Sequence, residues 1–94
     1  MSDTIVFSLI KQILHMEDRV YFTKHALKRM IERSISRDDV RRILTNPDYI
    51  RKEVESETHT KKINYRIMGY DGLSVVVSIH TIPNEKIIVV TVID

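Results

Sequence analysis

At the start of the chain the apolar positions recur at steps of three and four. Ile5, Val6, Phe7, Leu9, Ile10, Ile13 and Leu14 form a wide stripe, with Ser8, Lys11, Gln12 and His15 off it. That period predicts an amphipathic helix packed on the core or on a second copy of the chain. Val20, Tyr21 and Phe22 make a short extended run, and Thr23 suits the N-cap of a second helix over Lys24 to Arg33. This helix offers Ala26, Leu27, Met30 and Ile31 to the core and sets His25, Arg29 and Arg33, four residues apart, along a ridge on its other side. Ser36 with Asp39 resembles a capping box and opens a third helix to about Leu44, with Val40, Ile43 and Leu44 inward. Asn46-Pro47 ends it, because the residue before proline is pushed out of the helical region.

From Tyr49 onward the period changes to two. Ile50 and Val54 point inward from a first strand, Tyr49 to Glu57, whose outer side carries alternating acids. Ile63, Tyr65 and Ile67 alternate with Asn64, Arg66 and Met68, and Leu73, Val75, Val77 and Ile79 alternate with Ser74, Val76, Ser78 and His80. For Ile67 and Val75 to share a face the intervening loop needs an odd number of residues. Tyr70-Asp71-Gly72 satisfies this, with Gly72 in the left-handed position. The same parity sets Arg66 beside Val76 and Asn64 beside Ser78 on the opposite face. An even-numbered turn at Pro83-Asn84-Glu85 would put Ile88, Val90 and Val92 on the core face and Thr91 with Arg66, Ser78 and His80. Lys86 to Ile93 is apolar on both faces, which predicts a central or covered strand, with Val20 to Phe22 as the strand that covers it.

The expected architecture is α+β, with two or three helices on one twisted antiparallel sheet of three to five strands. It forms a single domain over 1–94, in which residues 1–17 add a helix to a core at 20–93. A length of 94 residues leaves no room for a second core, and 43% hydrophobic with 30% charged residues rules out disorder. The stripe at Ile5 to Leu14 is too short and too polar to span a bilayer, so no membrane partner is expected. No cysteine is present, which removes disulfides, thiolate metal sites and cysteine nucleophiles, and the cytoplasm is the expected compartment. His15 and His59 lack ligands at metal spacing, and no Gly-rich phosphate loop or nucleophile elbow occurs. Neither a metal nor a cofactor is expected.

The net charge of +2 permits an anionic partner without demanding one. The clustering says more. Lys24, His25, Lys28, Arg29 and Arg33 fall within ten residues, a set able to bind phosphate oxygens through arginine forks and lysine point charges. Metal-free RNA scission needs a base, an acid and cations around the phosphorane. His25 and His80 supply groups that titrate near neutrality, and Arg29, Arg33 and Arg66 supply charge. The same residues also read as an ordinary solvated face: Glu32 can pair with Lys28 or Arg29, and a mid-strand Arg66 is a common cross-strand partner of an acid.

The segment Phe22-Thr23-Lys24-His25-Ala26-Leu27-Lys28-Arg29-Met30-Ile31-Glu32-Arg33-Ser34-Ile35-Ser36, followed by Asp39-Val40, resembles the opening of a prokaryotic domain family of unknown function. Its pattern runs Thr-x-His-Ala, Arg-Met, Glu-Arg-Gly-Ile-Ser and Asp-Val, so Ser34 stands where that pattern has glycine. Ile87 to Ile93 resembles the family's last strand. This family is similar to the BrnT toxins and, more distantly, to the RelE/ParE-like toxins. The resemblance implies a RelE-like fold and a small metal-independent ribonuclease or RNA-binding protein of a toxin-antitoxin system. It places His25, Arg29, Arg33, Arg66 and His80 at the chemistry and Lys24, Lys28, Arg29, Arg33 and Arg66 on the nucleic acid. RNA, free or ribosome-bound, and an antitoxin protein are the implied partners, with a homodimer through the N-terminal helix or an edge strand beside them. The alternatives are a non-catalytic module that binds protein or nucleic acid on the same scaffold, and a ParE-like topoisomerase inhibitor. The nuclease reading requires the second-helix ridge to face a hollow shared with Arg66.

Overall fold

A computed structural model describes residues 3–16, 19–57 and 60–94, with the backbone alone for 3, 54–57 and 60–62. The chain forms α1 (Asp3–Leu14), β1 (Val20–Phe22), α2 (Lys24–Glu32), α3 (Arg37–Thr45), β2 (Tyr49–Glu57), β3 (Thr60–Met68), β4 (Ser74–His80) and β5 (Lys86–Ile93). The strands make one open sheet in the order β1-β5-β4-β3-β2. This is the expected α+β arrangement of helices on a five-stranded sheet. One pairing changes its character: β1 runs parallel to β5, while the other neighbours are antiparallel, so the sheet is mixed. Alternation along a strand reports which side faces the core and carries no information about strand direction.

Helices α2 and α3 are each held where the sequence starts them. Thr23 accepts a hydrogen bond from the Ala26 amide at 3.0 Å and donates its own hydroxyl to the Val90 carbonyl at 2.8 Å, so α2 is capped and tied to β5 by one side chain. Ser36 and Asp39 form the reciprocal capping box of α3. At the end of α2, Ser34 is left-handed with φ 54°. Its amide donates to the Ile31 carbonyl, and the Ile35 amide donates to the Met30 carbonyl. These two bonds are a Schellman closure, which explains why glycine suits this position and what Ser34 must tolerate.

The core lies between the three helices and one face of the sheet. Val6, Ile10 and Ile13 of α1, Ala26 and Met30 of α2, and Val40, Ile43 and Leu44 of α3 pack with Ile50, Tyr65, Ile67, Val75, Val77, Ile87, Val89 and Val92. The stripe of α1 is therefore spent on this chain's own core. Ile31, expected inward, is 82% exposed, because it lies well round the helix from the Ala26–Met30 line.

The hairpin between β3 and β4 follows the parity argument: Ile67 pairs with Val75, Arg66 with Val76, and Gly72 has φ 84°. The next hairpin does not. His80 pairs with Lys86, so the loop Thr81 to Glu85 has an odd count and puts Ile87 and Val89 on the core face in place of the expected Ile88 and Val90. A bulge then breaks the register between Val76–Thr91 and Val77–Val89. The extra residue, Val90, restores Val92 to the core and leaves Thr91 on the face of Arg66, Ser78 and His80, as expected. His59 and the side chains of Val54, Glu55 and Glu57 lie outside the described residues.

Candidate nucleic-acid interface

The ridge of α2 runs beside the second half of β5. Ala26 and Met30 anchor the helix, leaving Lys24, His25 and Lys28 exposed and Arg29 half-buried. Arg33 is the C-cap residue, and its Nη1 lies 2.7 Å from Oδ1 of Asp94 at the end of the chain. Both partners are more than 40% exposed, so this pair adds at most about 1 kcal/mol.

Arg66 lies on the other side of the sheet. With the three helices all contributing to the core on one face, no helix among the described residues packs on the second face. Alternation puts Tyr49, Arg51 and Glu53 of β2, Arg66 and Met68 of β3, Ser74, Val76, Ser78 and His80 of β4, and Lys86, Ile88 and Thr91 of β5 there, with Tyr21 of β1 opposite Ile88. Within this face Arg51 and Arg66 stand directly opposite each other. Like charges in that position repel, and Glu53 is the acid that relieves them: its Oε1 is 2.9 Å from Nη2 of Arg51 and 4.0 Å from Nη1 of Arg66. Arg66 also donates from Nε to the hydroxyl of the fully buried Ser74 at 3.0 Å, and Ser74 donates onward to the Ile93 carbonyl. The guanidinium is thus fixed on two sides while 24% of the side chain remains open to solvent.

The far end of the same face carries His80, whose Nε2 is 2.9 Å from the Ser78 hydroxyl, and Lys86, whose Nζ lies 6.0 Å from the centroid of the Tyr21 ring. Tyr21 and Tyr49, each about half exposed, stand on the two edge strands.

The five residues expected at the chemistry therefore fall on two sides of the sheet. His25, Arg29 and Arg33 are on the α2 flank, and Arg66 and His80 are on the uncovered face. His80 is four residues along β4 from Val76, the partner of Arg66, a separation of about 13 Å. The α2 ridge is separated from Arg66 by β5 and β4, about 10 Å of sheet width before the change of face is counted. A groove of about 540 Å³ beside α1, β1 and α3 is lined by none of the five. Sequence reading did not single out Arg51 or Ser74. Period-two parity gives the face of Arg51, but its pairing with Arg66 follows from the β2–β3 register, which no turn motif announces.

Curated proteins and solved structures yield no match to the chain. A family model described as a domain of unknown function, DUF4258, matches residues 22–94, starting one residue before Thr23, where the Thr-x-His-Ala motif begins. This span takes in α2, α3, four of the five strands and the whole Arg51–Arg66 cluster, and on that match the chain belongs to the DUF4258 family.

Proposed function

We propose that this chain binds single-stranded RNA on the uncovered face of its sheet, in the manner expected of a small BrnT- or RelE-like protein. One observation carries the reading: Arg51 and Arg66 are set opposite each other on a face that no described helix covers, with the Glu53 carboxylate shared between them. A phosphate arriving there relieves a repulsion already built into the fold, and the arginine fork suits its oxygens. Tyr21 and Tyr49 add rings on which bases can stack, and Lys86 and His80 continue the charge along the face.

Cleavage is the second reading, favoured by the Ser78–His80 hydrogen bond, which orients an imidazole as a proton-transferring group requires. A base must lie within hydrogen-bond reach of the hydroxyl it deprotonates, and His80 is about 13 Å along the sheet from the Arg66 clamp. Binding therefore ranks ahead of scission.

The test is titration of a labelled single-stranded RNA at several salt concentrations. Arg66→Ala is expected to weaken binding about tenfold and to lower the slope of log affinity against log salt by about one. Arg33→Ala, on the helix side, is expected to leave both unchanged. Equal binding by wild type and Arg66→Ala overturns the proposal, and RNA shortened in EDTA by wild type but not by His80→Ala promotes cleavage to first place.

A further inference from the structure

The groove of about 540 Å³ lies between the C-terminal end of α1, β1 and the start of α3. Leu14, Val20, Val40 and Leu44 give it an apolar floor. Arg19, Arg37, Arg41 and His15 stand round that floor against one acid among the described lining residues, Asp38. Two of the arginines are already oriented. Arg37 sits with its guanidinium carbon 5.0 Å from the centroid of the Phe22 ring, and Arg41 donates from Nη2 to the Leu14 carbonyl at 3.0 Å, closing the end of α1. Leu14, His15 and Arg19 precede the span matched by the family model, so this surface is built in part from residues outside that span.

A second observation is independent of the groove. β1 is an edge strand. The Arg19 carbonyl accepts from the Ile87 amide, and the Thr23 amide donates to the Val89 carbonyl. Backbone groups alternate sides along a strand, so Arg19, Tyr21 and Thr23 address β5, while the amides and carbonyls of Val20 and Phe22 point to the free edge. Those two residues also line the groove. An extended segment pairing with Val20 and Phe22 would set every second side chain over the apolar floor and beside the arginines.

We infer that the β1 edge and the α1–α3 groove together form a docking surface for an extended segment of a partner protein whose groove-facing side chains, every second residue, are acidic and apolar in turn. Charge complementarity selects the acids, the floor selects the apolar residues, and the free edge selects the extended backbone. The inference is independent of the RNA reading, since the groove and the Arg51–Arg66 cluster lie on opposite sides of the sheet.

The experiment uses the full chain, labelled with ¹⁵N, titrated with an acetylated peptide, Glu-Thr-Val-Thr-Glu-Thr-Val, whose glutamates and valines share one face of the extended backbone. Three control peptides accompany it: one with lysine for glutamate, one N-methylated at alternate backbone positions, and one with the same residues scrambled. Saturable amide shifts at Val20, Tyr21, Phe22 and Arg37 are expected, weakened about tenfold by N-methylation, by the lysine exchange and by Arg37→Glu in the protein. Arg37 opens α3, where an acid is compatible with the helix dipole, so this variant is expected to keep the wild-type spectrum elsewhere. Arg19→Glu provides a second charge reversal outside any helix. No shifts at β1, equal binding of the lysine or N-methylated peptide, or wild-type affinity in both reversals overturns the proposal. So does concentration-dependent dimerisation with the same amides perturbed, which would make a second copy the occupant, or displacement of the peptide by RNA.

Discussion

Single residues decide how tightly this fold is closed. Ser34 occupies a left-handed position that costs an L-residue with a side chain on the order of 1 kcal/mol, and the Schellman bonds around it force the conformation. Ser34→Gly is expected to stabilise the protein by about 1 kcal/mol, raising the melting temperature by about 4–8 °C in a domain of this size. Calorimetry checks this, and an unchanged or lowered midpoint contradicts it. Arg66 shows a different residue-scale effect. A mid-strand arginine is ambiguous in the sequence, because its neighbours across the sheet decide whether it is neutralised. Here Glu53 is shared with Arg51, so the carboxylate that would make Arg66 an ordinary cross-strand partner is divided between two guanidinium groups.

Among the elements, α1 and β5 carry the most consequence. α1 precedes the family-matched span, yet Val6, Ile10 and Ile13 are fully buried. It therefore belongs to the same cooperative unit as the sheet. Ile10→Ala is expected to cost about 3 kcal/mol, whereas Gln12→Ala, which loses only an exposed hydrogen bond to Glu85, should stay within about 0.5 kcal/mol. Urea unfolding followed by circular dichroism should show one transition in both variants, and a separate early transition for Ile10→Ala would show that α1 is only an appendage. In β5 the sequence is apolar on both faces, so hydrophobicity cannot say which parity is inward. The register follows from the five-residue turn and the Val90 bulge together, and each alone would have pointed Val92 or Ile87 the wrong way.

For the whole molecule, charge links the helical layer to the sheet. Arg42 of α3 lies 3.7 Å from Asp39 and 3.2 Å from Asp71 in the β3–β4 loop. Hydrogen bonds from Ser36, backbone first, and the nearby Arg42 hold the Asp39 carboxyl below its ordinary 3.8. The Leu73 amide, then Arg42, does the same for Asp71. A carboxyl held low in the folded state contributes stability that is complete above about 3.8 and is lost as the pH falls through the lowered folded values. Stability should therefore fall on acidification below that point, and Asp39→Asn with Asp71→Asn should flatten this acid limb while sparing the core. Denaturant midpoints measured from neutrality downward test it, and an unchanged acid limb in the double variant refutes the assignment. The sequence by itself determined the elements, because periods of 3.6 and 2, the Thr23 and Ser36 caps, Pro47 and Gly72 are local signals. It also determined that Arg66, Ser78 and His80 share a face, since parity survives wherever loop length can be read, whereas Thr91 joins them through the five-residue turn and the Val90 bulge together. Only the tertiary structure decided that no helix among the described residues covers this face and that α2 lies on the far side of the sheet from Arg66. It also decided that β1 runs parallel to β5, and that three arginines outside the α2 ridge gather over one apolar floor. Those outcomes depend on which face the helices choose and on pairings between residues remote along the chain, and a one-dimensional pattern encodes neither.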